Sequence, residues 1–221
     1  MGPLTLRSIS VFAAFTLCVV AEPFNTFDGD GFPACRNVAA VHDVTSVDEI
    51  VSIVKDAATK GTPVRASGKG HMWYDTMCQD DPATVIIRTE NTNQISDFKL
   101  DNGAGTGSVV VEAGVTFFQM AEYLHARKAS MGYTLVNWNI TLAGAVAMGA
   151  HRSSIREDSM VAAGVLSMDI VNGNGDIVTV ERDDSDEDWL AASTSLGLLG
   201  VIARLKFKIY PDTKVFAQQV T

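Results

Sequence analysis

The residues best suited to chemistry fall in two stretches rich in small side chains. The first is Arg65-Ala66-Ser67-Gly68-Lys69-Gly70-His71-Met72, followed directly by Trp73. Its paired glycines allow successive backbone N–H groups to converge on one anion, and Lys69 could add positive charge. His71 and Trp73 would then stand beside the bound group. Taken alone, the stretch reads equally as an anion cradle and as a turn carrying a surface histidine. The second stretch is "ITLAGAVAMGAHRSS", residues 140–154, where eight of fifteen residues are Ala, Gly or Ser. Side chains this small let a large flat ligand, or another backbone, approach closely. Thr141, Ser153 and Ser154 supply hydroxyls and His151 a titratable ring. A tightly packed core segment is the competing account.

Other chemistries lack their residues. The four histidines, His42, His71, His125 and His151, show no metal-ligand spacing, and the few cysteines do not cluster with them. The chain has no GxSxG nucleophile elbow, no GxGxxG leading into a helix and no Walker-type GK[ST]. The glycines at 103–107 and 173–175 each lie between two strand signals, as hairpin turns do. The acidic run Asp183–Asp188 suits a solvated helix start. A formal net charge of −9 repels phosphate backbones, so nucleic acid is excluded as a partner class.

The positioning elements follow from pattern. Val47–Thr59 reads as a helix with Ser46 as cap, Glu49 three residues on, and Gly61 at the stop. A strand is expected at Pro63–Ala66, entering the first glycine stretch, and another, buried on both faces, at Ala83–Thr89. "ISDFKLD" and "SVVVEAG" make one hairpin; "VLSMDIV" and "IVTVE" make a second. Thr116–Ala126 reads as a helix with Phe117, Met120, Ala121 and Leu124 on one face. Ser130–Ala163 reads as loop-rich, and the acidic start at Asp183 as a helix running to Gly197. The chain closes on a strand whose alternating apolar residues are Val201, Ala203, Leu205, Phe207 and Ile209. The order is α+β, and a chain that is 47% hydrophobic can bury one sizeable core.

The N-terminus reads as a targeting segment. Arg7 precedes an apolar run, residues 9–21, too short to span a bilayer, ending in Val19-Val20-Ala21. Residues 1–21 are therefore expected to be a signal peptide on a secreted protein, with 22–36 an irregular lead-in. Cys35 and Cys78 would remain in an oxidising compartment. Bridging them would contribute roughly 4 kcal/mol by the chain-entropy argument.

Five features in order complete the pattern: the capped helix, "PVRASGKGHMW", "VVVEAGVTFFQM", "ITLAGAVAMGAHRSS" and "GLLGVIARLKFKIYP". Together they resemble the FAD-binding PCMH-type domain of the vanillyl-alcohol oxidase flavoprotein superfamily, nearest its sugar-lactone and alditol oxidases. The resemblance covers residues 37–212, leaving 213–221 as a tail. It implies a two-subdomain fold holding FAD, with hydride transfer from a hydroxyl-bearing small molecule such as a sugar lactone or alcohol. It implies that Arg65 to Met72 cradle the pyrophosphate and that His71 matches a histidine to which some members bind the flavin covalently. Thr141, Gly144, Met148, Gly149, Ala150, His151 and Ser153 match a second cofactor segment, and Ile202 a position whose backbone holds the adenine end. Arg152 replaces a glycine usual in the family, and no cysteine stands near Val136–Asn139 for a second covalent link. Asn139-Ile140-Thr141 is a glycosylation sequon, expected unused because its segment is expected to be buried. Family members continue into a substrate-binding domain that this chain is expected to lack, which leaves as the alternative a truncated product or a non-catalytic flavin-binding remnant.

Overall fold

A computed structural model describes residues 38–71, 83–132, 135–152 and 158–214. The expected signal peptide and lead-in, Cys35, Cys78, Met72, Trp73, Ser153, Ser154 and residues 215–221 lie outside them.

Two sheets share one helix. Strands β1 (Ala40–Asp43), β2 (Val64–Ser67) and β3 (Val85–Arg88) form a parallel sheet in the order β1-β3-β2. Helix α1 (Val47–Lys60) connects β1 to β2. Its start is fixed by Ser46, whose hydroxyl accepts the Glu49 N–H, while the Glu49 carboxylate reaches back to the Thr45 N–H at 2.7 Å. Its end is Gly61 at φ 64°, where the left-handed turn carries no Cβ penalty.

The larger sheet is antiparallel, in the order β4-β5-β9-β7-β8, from β4 (Ile95–Asp101), β5 (Thr106–Glu112), β7 (Val165–Val171), β8 (Ile177–Glu181) and β9 (Val201–Pro211). The short β6 (Ala129–Ser130) joins β9 at its far end. Helices α2 (Phe117–His125), α3 (Leu142–Ala147) and α4 (Glu187–Ala192) contribute to its main core. Both hairpins form as their sequences indicate.

Strand β9 departs from simple alternation. Val171 pairs with Val201 and Ile170 with Ile202, but Asp169 pairs with Arg204, so Ala203 is an extra residue. Paired residues share a face, so this bulge reverses which face each later residue occupies. Val201 and Ala203 pack with Val47, Ile50 and Val54 of α1 and with Ile87 of β3. Leu205, Phe207 and Ile209 pack instead with Phe117, Met120 and Leu142 on the main core. The five alternating residues are all buried as expected, but they serve two cores, with α1 held between the sheets.

Three expectations are corrected. Helix α4 stops at Ala192: Ser193, Thr194 and Ser195 are poor helix continuers, and Leu196 turns to φ 52° before Gly197. The stretch 130–163 contains α3, whose Ala-Gly-Ala-Val-Ala sequence hides helical periodicity because small residues fit any face. Asn139 is exposed rather than buried, although Thr141 of the same sequon is buried. Among the described residues, no helix is long and apolar enough to cross a membrane.

Candidate cofactor site

Strand β2 delivers the first glycine stretch. Its last residue, Ser67, is buried, and its carbonyl accepts both the N–H (2.8 Å) and the hydroxyl (3.2 Å) of Thr89. Beyond it the chain leaves the sheet through Gly68, Lys69 and Gly70, the last at φ 70°. Among the described residues none of these three amides donates to a backbone carbonyl, and the three place adjacent N–H donors at the strand end. Such a row of donors suits an anion with several oxygens, pyrophosphate among them.

The lysine does not supply the free charge expected of it. Its ammonium sits 2.6 Å from the Glu90 carboxylate, which also faces Arg88 at 3.4 Å, and Arg88 reaches Asp43 at 3.2 Å. Glu90 thus takes up the Lys69 charge and ties the loop to the end of β3. The backbone amides are left as the loop's main attraction for an anion.

The second stretch meets the first at Gly68. A Cβ built on Gly68 would fall on the Thr141 hydroxyl and within 2.8 Å of its methyl, so only glycine permits this approach. Thr141 is pinned from three sides. Its hydroxyl caps α3 by accepting the Gly144 N–H at 3.3 Å, it is 4% exposed, and its backbone bridges Thr116. Thr116 caps α2 in a reciprocal box with Gln119, so both helices start from one paired pair of threonines.

His71 reaches the segment that leads into α3. The ring is exposed, and its Nε2 lies 2.9 Å from the Asn137 side-chain amide. Partial desolvation holds the imidazole pKa below the ordinary histidine value, so the ring is neutral at neutral pH.

At the other end of α3, about 9 Å along the six-residue helix, stand Met148, Gly149, Ala150 and His151. Met148 is exposed. Gly149 adopts φ 67°, and a Cβ there would lie 2.9 Å from Thr194. Ala150 closes the turn on the Ala145 carbonyl at 2.8 Å, and His151 bridges Met160. Arg152 lays its guanidinium against Gly164. Ile202 lies in β9 opposite Ile170, with its side chain in the main core alongside residues of α3.

The fold therefore sets Gly68 against Thr141, whose hydroxyl caps α3 at Gly144, joins His71 to Asn137 just ahead of that helix, and leaves Met148 to His151 at its other end; Arg65 and Ala66 lie within β2, before this contact. Sequence reasoning missed Asn137 and Glu90. Asn137 contacts a residue 66 positions away, and no local pattern marks such a contact. Glu90, two residues beyond β3, is signalled only by the parallel pairing of β2 with β3.

Residues 38–181 match the family described as FAD binding domain, a span containing both small-residue stretches. The chain is 32% identical over 178 residues to a D-arabinono-1,4-lactone oxidase of Kluyveromyces lactis, covering 79% of this chain and 32% of that protein. It is 29% identical over 178 residues to the D-arabinono-1,4-lactone oxidase of Eremothecium gossypii, with the same shares covered. It is 29% identical over 181 residues to an L-gulono-1,4-lactone dehydrogenase of Mycobacterium tuberculosis, covering 82% of this chain and 40% of that protein. The chain thus spans 32% to 40% of the length of these relatives. The donor row after β2, its glycine contact with α3 and the family match over both segments agree. The chain belongs to this family of FAD binding domains, and its cofactor is FAD.

Proposed function

We propose that this chain is the cofactor-holding part of an oxidoreductase that takes a hydride from a hydroxyl-bearing carbon of a sugar-lactone-like substrate. The observation that carries the proposal is the contact of Gly68 with Thr141, which joins the amide row to the small-residue helix. The relatives named as lactone oxidases and dehydrogenases supply the substrate class. Bound FAD supplies the electron acceptor for the hydride.

The residues of this chain bind and orient. The backbone from Arg65 to Met72 holds the pyrophosphate, with Lys69 anchoring the loop through Glu90. Thr141, Gly144, Met148, Gly149, Ala150 and His151 line the path along α3, Ser153 contributes a further contact to the same cofactor, and the Ile202 backbone holds the adenine end. His71, neutral and at the exposed end of the site, is the candidate covalent tether to the flavin. The chain enters the secretory pathway, loses residues 1–21 and closes Cys35 to Cys78. A mature protein beginning at Glu22 is the expected result of N-terminal sequencing.

The test is expression with FAD supplied, followed by acid precipitation. Yellow protein is expected, with flavin retained in the pellet and released to the supernatant by His71→Ala. Colourless protein under these conditions overturns the proposal. Turnover of lactones is assayed separately, because binding and catalysis are separate properties of the chain.

A further inference from the structure

We propose that Asn137 is a positioning residue for His71, fixing the imidazole as the neutral tautomer with its proton on Nδ1 and its lone pair on Nε2. The assignment follows from donors and acceptors alone. The Asn139 backbone N–H can only donate, so the Asn137 atom 3.0 Å from it is the carbonyl oxygen. The other terminal atom is then the NH2 group, and it lies 2.9 Å from His71 Nε2. An amide NH2 only donates, so Nε2 must accept. A protonated ring would set N–H against N–H at this distance. The partial desolvation of His71 acts in the same direction, disfavouring the cation.

Asn137 is itself held in place. The Trp138 carbonyl accepts the Phe118 N–H at 3.0 Å, in the first turn of α2, and the Trp138 indole donates to the Leu135 carbonyl at 2.8 Å. The loop that presents Asn137 is thus tied to the helix whose cap pairs with Thr141. Its amide can orient the ring without any ligand present. Where His71 tethers the flavin, which rests on the proposed function, Nε2 holds the ring's one lone pair and must release the Asn137 N–H before it can form the bond.

The test is nitrogen NMR of the full chain labelled with 15N-histidine, without flavin, at neutral pH. His71 is assigned by the signals lost in His71→Gln. The expected spectrum shows a protonated Nδ1 and an unprotonated Nε2. Asn137→Asp replaces the donor with an acceptor, so the proton should move to Nε2. The ring's titration midpoint should then rise by about one pH unit or more, as an adjacent carboxylate produces. Asn137→Ala, which removes this donor without adding charge, should weaken the Nδ1 preference. Wild-type protein with the proton on Nε2 overturns the inference, as does a tautomer unchanged in both variants. Because no flavin is used, a failed tether at His71 and a failed tautomer assignment give separate results.

Discussion

Gly68→Ala tests the join between the two segments most directly. The new Cβ would overlap the Thr141 hydroxyl and lie 2.8 Å from its Cγ2 and 3.1 Å from its Cβ, where ordinary contact begins at 3.4 Å. A β-branched threonine has no flexible end to swing away, and this one is buried and bridged to Thr116. The clash must displace the hydroxyl from the Gly144 N–H, costing about 1 kcal/mol for the lost cap. Overpacking adds roughly 1–3 kcal/mol. The sum is about 2–4 kcal/mol, a large share of a typical domain's stability but short of abolishing the fold. With a urea slope of about 2–3 kcal/mol per molar, the denaturation midpoint should fall by about 1 M. Thr141→Ala alone should cost about 1 kcal/mol as a lost cap. In the double variant the clash is largely relieved, so its cost should fall short of the sum by about 1 kcal/mol or more. Flavin content should drop in Gly68→Ala alongside stability. Additive costs in the double-mutant cycle would refute the contact on which the site depends.

Three further outcomes follow from the same site. Glu90→Gln leaves Lys69 and Arg88 without their shared carboxylate, and because these groups are partly exposed the loss should be about 1 kcal/mol, read by urea denaturation. Lys69→Met should reduce flavin retention less than Gly68→Ala does, since the ammonium is taken up by Glu90; a larger loss from Lys69→Met would contradict that ordering. His71 has a folded pKa below its unfolded value of 6.5, so its contribution to stability is complete above about pH 6.5 and drains as pH falls toward the lower folded value. Comparing urea midpoints at neutral and mildly acidic pH, His71→Gln should show a shallower decline than wild type, and an equal or steeper one would count against a depressed pKa.

Local signals made much of the architecture legible. Ser46, Glu49 and Gly61 mark both ends of α1 because caps are chosen by chemistry within four residues. The hairpins are legible because their turns lie between two apolar runs. What sequence did not reveal depends on distant partners. Strand β1 is four residues without alternation and exists because β3, more than forty positions later, pairs with it in parallel. The bulge at Ala203 is invisible along the chain, since β9 alternates without a break and only its pairing with β7 shows the extra residue. Within the site, the glycine stretch is readable as an anion cradle. The pairing of Lys69 with Glu90, and of His71 with Asn137, is decided by which loops the sheets bring together.

The change of face along β9 has a consequence for how the molecule comes apart. Val201 and Ala203 close the smaller core, and two residues later the same strand is embedded in the larger one. Neither sheet can melt while the other keeps β9 in place, because α1 would lose half of its apolar support. Unfolding is therefore expected to be one cooperative event, with amides of β3 and β7 exchanging their hydrogens at matching rates. The N-terminal parallel sheet is not a module that could be excised alone: its core is completed by a strand more than a hundred residues further along the chain.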